Sequence, residues 1–166
     1  MALIKLPHFG AIDTDALDEY YDAVIEFNGH ELQLDLNFET KAIDASRLET
    51  MKRFIENIRI YDGNNKGYIQ KDYADDDGDT VKPYLQHHLD ELAEDDLEDL
   101  LLPGSKLETH EKQLLTKLHL IRVGLYPQSE DMFASFDYSL GAELTNYVIV
   151  IDTDENGNLN YMTMES

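Results

Sequence analysis

The chain has 166 residues, of which 35 are acidic and 13 are Lys or Arg, so its formal net charge is -22. This charge repels phosphate backbones and anionic lipid, and no apolar run approaches the roughly 20 residues that span a bilayer, so we expect neither nucleic acid nor membrane as a partner. With no cysteine and an opening too interrupted for a signal peptide, the sequence predicts one cytoplasmic domain over residues 1–166, without disulfides or thiolate chemistry.

The first clear element is a β-hairpin over residues 21–38. Residues 1–19, by contrast, combine a short apolar opening with the acidic stretch IDTDALDE, and predict a loop or a first helical turn. In the hairpin, apolar and polar residues alternate on both sides of Asn28-Gly29, a pair typical of a two-residue type I′ turn. That turn pairs Ile25 with Leu32, which gives both strands the same apolar face.

Helices are predicted between residues 45 and 118. The first covers 45–59, where Ser46-Arg47-Leu48-Glu49 has the form of a capping box and apolar residues follow at helical spacing. The segment YDGNNKG then contains two glycines and two asparagines, which predicts a loop that ends this helix. Further amphipathic helices follow, until Pro103-Gly104 ends the run and Ser105-Lys106-Leu107-Glu108 opens a last helix.

The segment from Asp72 to Asp99 contains twelve acidic residues and one lysine. Its Leu and Tyr residues share one helical face, so the carboxylates occupy the outer face and are not needed for folding. We define six of them as the acidic helical surface: Asp90, Glu91, Glu94, Asp95, Glu98 and Asp99. A dense anionic surface costs self-repulsion that a basic protein relieves, so this surface is the predicted partner-binding site.

Residues 118–164 predict a four-strand antiparallel meander. If Tyr126 pairs with Phe133, Arg122 lies opposite Asp137 on the polar face. The stretch NYVIVID is apolar on both faces, which predicts a central strand covered on both sides. The chain is therefore predicted to be α+β, with an antiparallel-rich sheet made by the N-terminal hairpin and this meander, and with the helices of about 45–118 inserted between them and packed on it.

Two groups of residues mark a candidate pocket or ion pair. Arg122 and Asp137 would form a structural ion pair, or Arg122 would bind an anion in a pocket; we favour the ion pair, because no glycine-rich anion nest or second base accompanies it. His88 lies on an apolar helical stripe beside His87, and adjacent helical residues point about 100° apart. We therefore favour a hydrogen-bonded core histidine over a metal ligand.

Residues 152–159 match the first half of a calcium-binding EF-hand loop, with Gly157 at its sixth position. The twelfth position, however, is Thr163 in place of the bidentate glutamate, and the flanks predict strands instead of helices. A hairpin turn explains the same residues, so no metal site is predicted here. The sequence likewise predicts no cofactor and no catalytic residue.

Several phrases together resemble a family of small acidic bacterial proteins that is known only as a domain of unknown function. They are HHL (87–89), RVGLYP (122–127), FDYSLG (136–141), ELTNYVIV (143–150), DENG (154–157) and the closing MES. The resemblance implies a cytoplasmic bacterial protein of α+β type and transfers no active-site residue. By analogy alone, small acidic proteins of this kind include immunity proteins that neutralise toxins.

The sequence thus favours a non-enzymatic interaction protein that binds a basic partner, with an immunity-type inhibitor as one form of that function. Two alternatives from other classes stay open. One is a small enzyme with a pocket near Arg122 and His88, and the other is a weak calcium-binding module.

Overall fold

The computed structural model of the protein describes residues 3–101 and 107–166 and confirms the α+β class. The described residues form a two-stranded sheet, a six-stranded sheet and five helices. The helices are α1 (Ala45–Glu56), α2 (Ile58–Ala74), α3 (Val81–Glu91), α4 (Glu94–Leu100) and α5 (Leu107–Lys117). The strands are β1 (Leu3–Leu6), β2 (Gly10–Asp13), β3 (Tyr20–Phe27), β4 (His30–Asn37), β5 (His119–Leu125), β6 (Ala134–Ser139), β7 (Val148–Thr153) and β8 (Leu159–Glu165). None of these helices combines the length and apolar composition that crossing a membrane requires.

The hairpin and the meander share one sheet, with the strand order β3-β4-β5-β6-β7-β8. All neighbours are antiparallel except β4 and β5, which are parallel because the five helices form the crossover between them. The predicted registers are confirmed: Ile25 pairs with Leu32, and Arg122 lies opposite Asp137. The turn at Asn28-Gly29 has positive φ at both residues, as a type I′ turn requires.

The described helices pack on one face of this sheet. Phe54 of α1 contacts the ring of Phe136, and the hydroxyl of Tyr138 donates to the buried carboxylate of Asp62 in α2 at 2.7 Å. The opposite face carries no helix in the described part of the chain, and we call it the open face. As predicted, β7 is an interior strand with buried residues on both faces, Ile149 beneath the helices and Val150 on the open face. No described helix covers the open face, where Val148 is only partly buried.

The predicted loop at YDGNNKG is also wrong, because α2 runs through it. The first helix ends at Glu56, and the break falls at Asn57, whose side chain donates to the Arg53 carbonyl. Beyond the break, α2 buries Ile58, Asp62, Asn65 and Ile69 at helical spacing. Two glycines in a helix cost about 1 kcal/mol each, and burial of this side of the helix offsets that cost.

The N-terminal segment differs from the predicted loop or helical turn, since β1 and β2 form an antiparallel hairpin. Strands of four residues are too short for an alternation signal, and their turn depends on positive φ at His8 and Gly10. At the other predicted boundaries, Ser46 makes no cap for α1, which begins one residue earlier at Ala45. The predicted helix end at Pro103-Gly104 and the start of the capping box at Ser105-Lys106 lie outside the described residues.

Candidate functional site

A charged network occupies the centre of the open face. Arg122 donates to both oxygens of Asp35, from Nε to Oδ2 at 2.7 Å and from Nη2 to Oδ1 at 2.9 Å. Nη2 also donates to the Tyr126 hydroxyl at 3.0 Å, and Asn37 donates to Asp35 at 2.7 Å. Asp35 is only 1% exposed, so this fork satisfies a carboxylate that would otherwise be buried alone.

Gly124 allows this contact across the strands. Gly124 lies on β5, directly opposite Asp35 of β4. A Cβ at this position would lie 2.6 Å from Arg122 Nη2 and 2.9 Å from Asp35 Oδ1, so a larger residue would block the contact. The sequence did not identify Asp35 as the partner of Arg122, because the two residues are 87 positions apart and meet only through the parallel β4–β5 pair. The polar alternation of β4 was the available signal, since it places Asp35 on the same face as Gln33.

Asp137 is the second carboxylate beside Arg122, but it is held less closely. Its Oδ2 lies 3.6 Å from Arg122 Nη1, which is an ion-pair distance without a hydrogen bond. Burial raises the pKa of Asp137, and Arg122 lowers it in part. The negative charges of Asp35 and Glu165 raise the pKa further. Burial would lower the pKa of Arg122, yet its hydrogen bonds with Tyr126 and Asp35 and the charge of Asp35 raise it. The guanidinium is thus already engaged, which favours its structural interpretation over an anion-binding one.

The acidic helical surface lies on α3, on α4 and on the turn between them. All six of its carboxylates are exposed, and within the described residues none of them forms an ion pair. The short helix α4 buries no residue. Among the described residues, these side chains therefore have no ion-pair partner that would be lost when another molecule binds them.

His88 is fully buried and has a hydrogen bond at each ring nitrogen. Nδ1 donates to the Tyr84 carbonyl at 2.7 Å, so the neutral Nε2 accepts from the Thr145 hydroxyl at 2.8 Å. Burial lowers the pKa of His88, and the neighbouring His87 lowers it further, whereas the hydrogen bond to the Tyr84 carbonyl raises it. This is the hydrogen-bonded core histidine that the sequence favoured.

The structure places Arg122 and His88 on separate cavities. A cavity of about 920 Å³ between the β3–β4 turn and the start of β5 includes Arg122 and Asp137 in its wall. His88 lines another of about 470 Å³, together with Thr145 and Tyr147. The cavity at Arg122 also includes His119 and the carboxylate of Asp137, whose pKa is raised by burial, so the enzyme alternative stays open.

The calcium-like segment forms the turn between β7 and β8. Asp154 Oδ1 accepts from the backbone N–H groups of Asn156 and Asn158, and Oδ2 accepts from the Asn158 side chain. Burial would raise the pKa of Asp154, but these hydrogen bonds outweigh it and lower the pKa. The carboxylate thus stabilises a hairpin turn. Among the described residues, no group of three or more His, Asp or Glu side chains is placed to hold a metal ion.

Comparison with known proteins found no relative: no family model matches the chain, and no curated protein and no solved structure is significantly similar to it.

Proposed function

We propose that this protein is a non-enzymatic interaction protein whose partner is a basic protein. The observation that carries the proposal is the acidic helical surface, with six exposed carboxylates that have no ion pair among the described residues. Held close together, these charges repel one another, and a basic partner relieves that repulsion while their field speeds its approach. The net charge of -22 extends the same field over the molecule.

Association kinetics with a partner captured from lysate of the source organism test the proposal. The captured protein should be basic, and its affinity should fall as salt rises to physiological strength, where the screening length is about 8 Å. The test variant neutralises four carboxylates of the acidic helical surface: Glu91→Gln, Glu94→Gln, Asp95→Asn and Glu98→Gln. The matched control neutralises four exposed carboxylates elsewhere on the surface: Glu39→Gln, Glu49→Gln, Glu56→Gln and Glu130→Gln.

We expect the test variant to associate about tenfold more slowly than the control variant, since steering depends on where the charges lie. Both variants should unfold at the parental denaturant midpoint, because exposed carboxylates contribute little to stability. A partner that is not basic, or an affinity indifferent to salt, contradicts the proposal. If the partner is an enzyme, loss of its activity on binding would identify this chain as an immunity-type inhibitor.

A further inference from the structure

We infer that the open face of the six-stranded sheet is a docking surface for a basic polypeptide segment of the partner; this rests on the proposed function and adds a second contact region to it. The face has unpartnered apolar area at both edges. On β3, Val24 is 63% exposed and Tyr20 is 49% exposed, and on β8 Tyr161 is 60% exposed. Aliphatic stems of lysine or arginine pack well on such residues while their charged ends stay near carboxylates.

The charge of the open face is strongly one-sided. By the strand registers, seven carboxylates and a single guanidinium lie on this face within the described strands. The carboxylates are Asp22, Glu26, Glu31, Asp35, Asp137, Asp152 and Glu165. Arg122, the one guanidinium, is already engaged by Asp35. Arg122 also lies within ion-pair distance of Asp137, so it is the other five carboxylates, which have no ion pair among the described residues, that attract a cationic occupant.

The pairing of β3 with β4 adds an independent observation. Glu26 lies directly opposite Glu31, and Asp22 lies directly opposite Asp35. Like charges in directly opposed positions destabilise a sheet. Arg122 offsets the second pair, but no ion pair among the described residues reaches Glu26 or Glu31. A cation placed between these two carboxylates would turn the repulsion into a favourable contact.

The dimensions also fit a protein segment. Six strands spaced by about 4.8 Å make a face about 24 Å wide, and strands of six to eight residues make it about 20 Å long. The resulting area, on the order of 500 Å², is about three-fifths of the ~800 Å² that one partner contributes to a standard interface. The acidic helical surface lies outside this area and would contribute to the encounter as well.

A peptide titration followed by amide chemical shifts tests the inference. The probe is a basic peptide of mixed lysine and valine sequence, and its control has glutamate in place of lysine. Two variants each lose three carboxylates, so their net charges are equal. The sheet variant carries Asp22→Asn, Glu26→Gln and Glu31→Gln, and the helix variant carries Glu91→Gln, Glu94→Gln and Glu98→Gln.

We expect the lysine peptide to shift amides of β3, β4 and β8, and the glutamate peptide to shift none. The sheet variant should raise the Kd about tenfold, and the helix variant only about twofold. The sheet variant should also be at least as stable as the parent, because it removes like-charge pairs. Equal losses in the two variants, or no shifts on the open face, overturn the inference. A larger loss in the helix variant overturns it too and leaves the proposed function standing, since the docking site would then be the acidic helical surface.

Discussion

Removal of Arg122 should destabilise the fold mainly through Asp35. The guanidinium donates two hydrogen bonds to this carboxylate, at 2.7 and 2.9 Å, and a hydrogen bond to a charged group contributes about 1.5–3 kcal/mol. The Arg122 side chain is 28% exposed, so water replaces part of this contribution. We therefore expect Arg122→Ala to lower the free energy of unfolding by about 3 kcal/mol, because it leaves the buried Asp35 carboxylate with the Asn37 amide as its one side-chain donor among the described residues.

A double-mutant cycle measured by urea unfolding at neutral pH checks this. Asp35→Ala should cost a similar amount, and the double variant should cost less than the two single variants together, by about 1–3 kcal/mol. Arg122→Lys should recover only part of the loss, since an ammonium cannot form the fork. Arg53→Ala is the matched control, because within the described part of the chain the side chain of this exposed arginine donates one hydrogen bond, to the Thr50 hydroxyl at 3.4 Å. Strictly additive losses would refute the argument.

The same cycle with Asp137 should give a smaller coupling, since no hydrogen bond joins it to Arg122. Its pKa is raised in the folded protein, so the folded state binds this proton more tightly than the unfolded state does. Stability should therefore fall as the pH rises from the unfolded pKa of about 4 through the raised folded pKa. Asp137→Asn should remove that fall, which a pH series of urea midpoints measures.

Two further pairs of substitutions, also measured by urea unfolding, test the turn after β7 and the one-sided helical cover of the sheet. Gly157→Ala should cost several kcal/mol of stability, because the added Cβ would lie 2.4 Å from the ring of Tyr61. The control, Gly29→Ala, has nearly the same positive φ but lies in open space, so it should cost only about 1–2 kcal/mol. Equal costs would contradict the steric argument. Ile149→Asp should cost several kcal/mol of stability, because it buries a charge beneath the helices. Val148→Asp, on the open face, should cost much less. Equal losses of stability would indicate that both faces of the sheet are covered.

The sequence predicted those parts of the fold that local signals determine. The Asn28-Gly29 turn and the alternation around it fixed the first hairpin, and the same reasoning placed Arg122 opposite Asp137. Contacts between distant segments could not be predicted from such local signals. Arg122 meets Asp35 only after the helices have crossed over to make β4 and β5 neighbours, and no local pattern contains that pairing. The helix through YDGNNKG was missed for a related reason, since tertiary burial overrides the low helix propensity of Gly and Asn.

The apolar residues of β7 show why alternation alone overestimates how a sheet is covered. Val150 is only 7% exposed although it lies on the open face. It pairs with Asp137 on one side and Thr163 on the other, so neighbouring side chains shield it laterally. Val24, on the edge strand β3, has a neighbour on one side only and remains 63% exposed. An apolar residue on the outer face of an interior strand therefore does not require a second layer, and the apolar area free to contact a partner lies at the edges of the sheet.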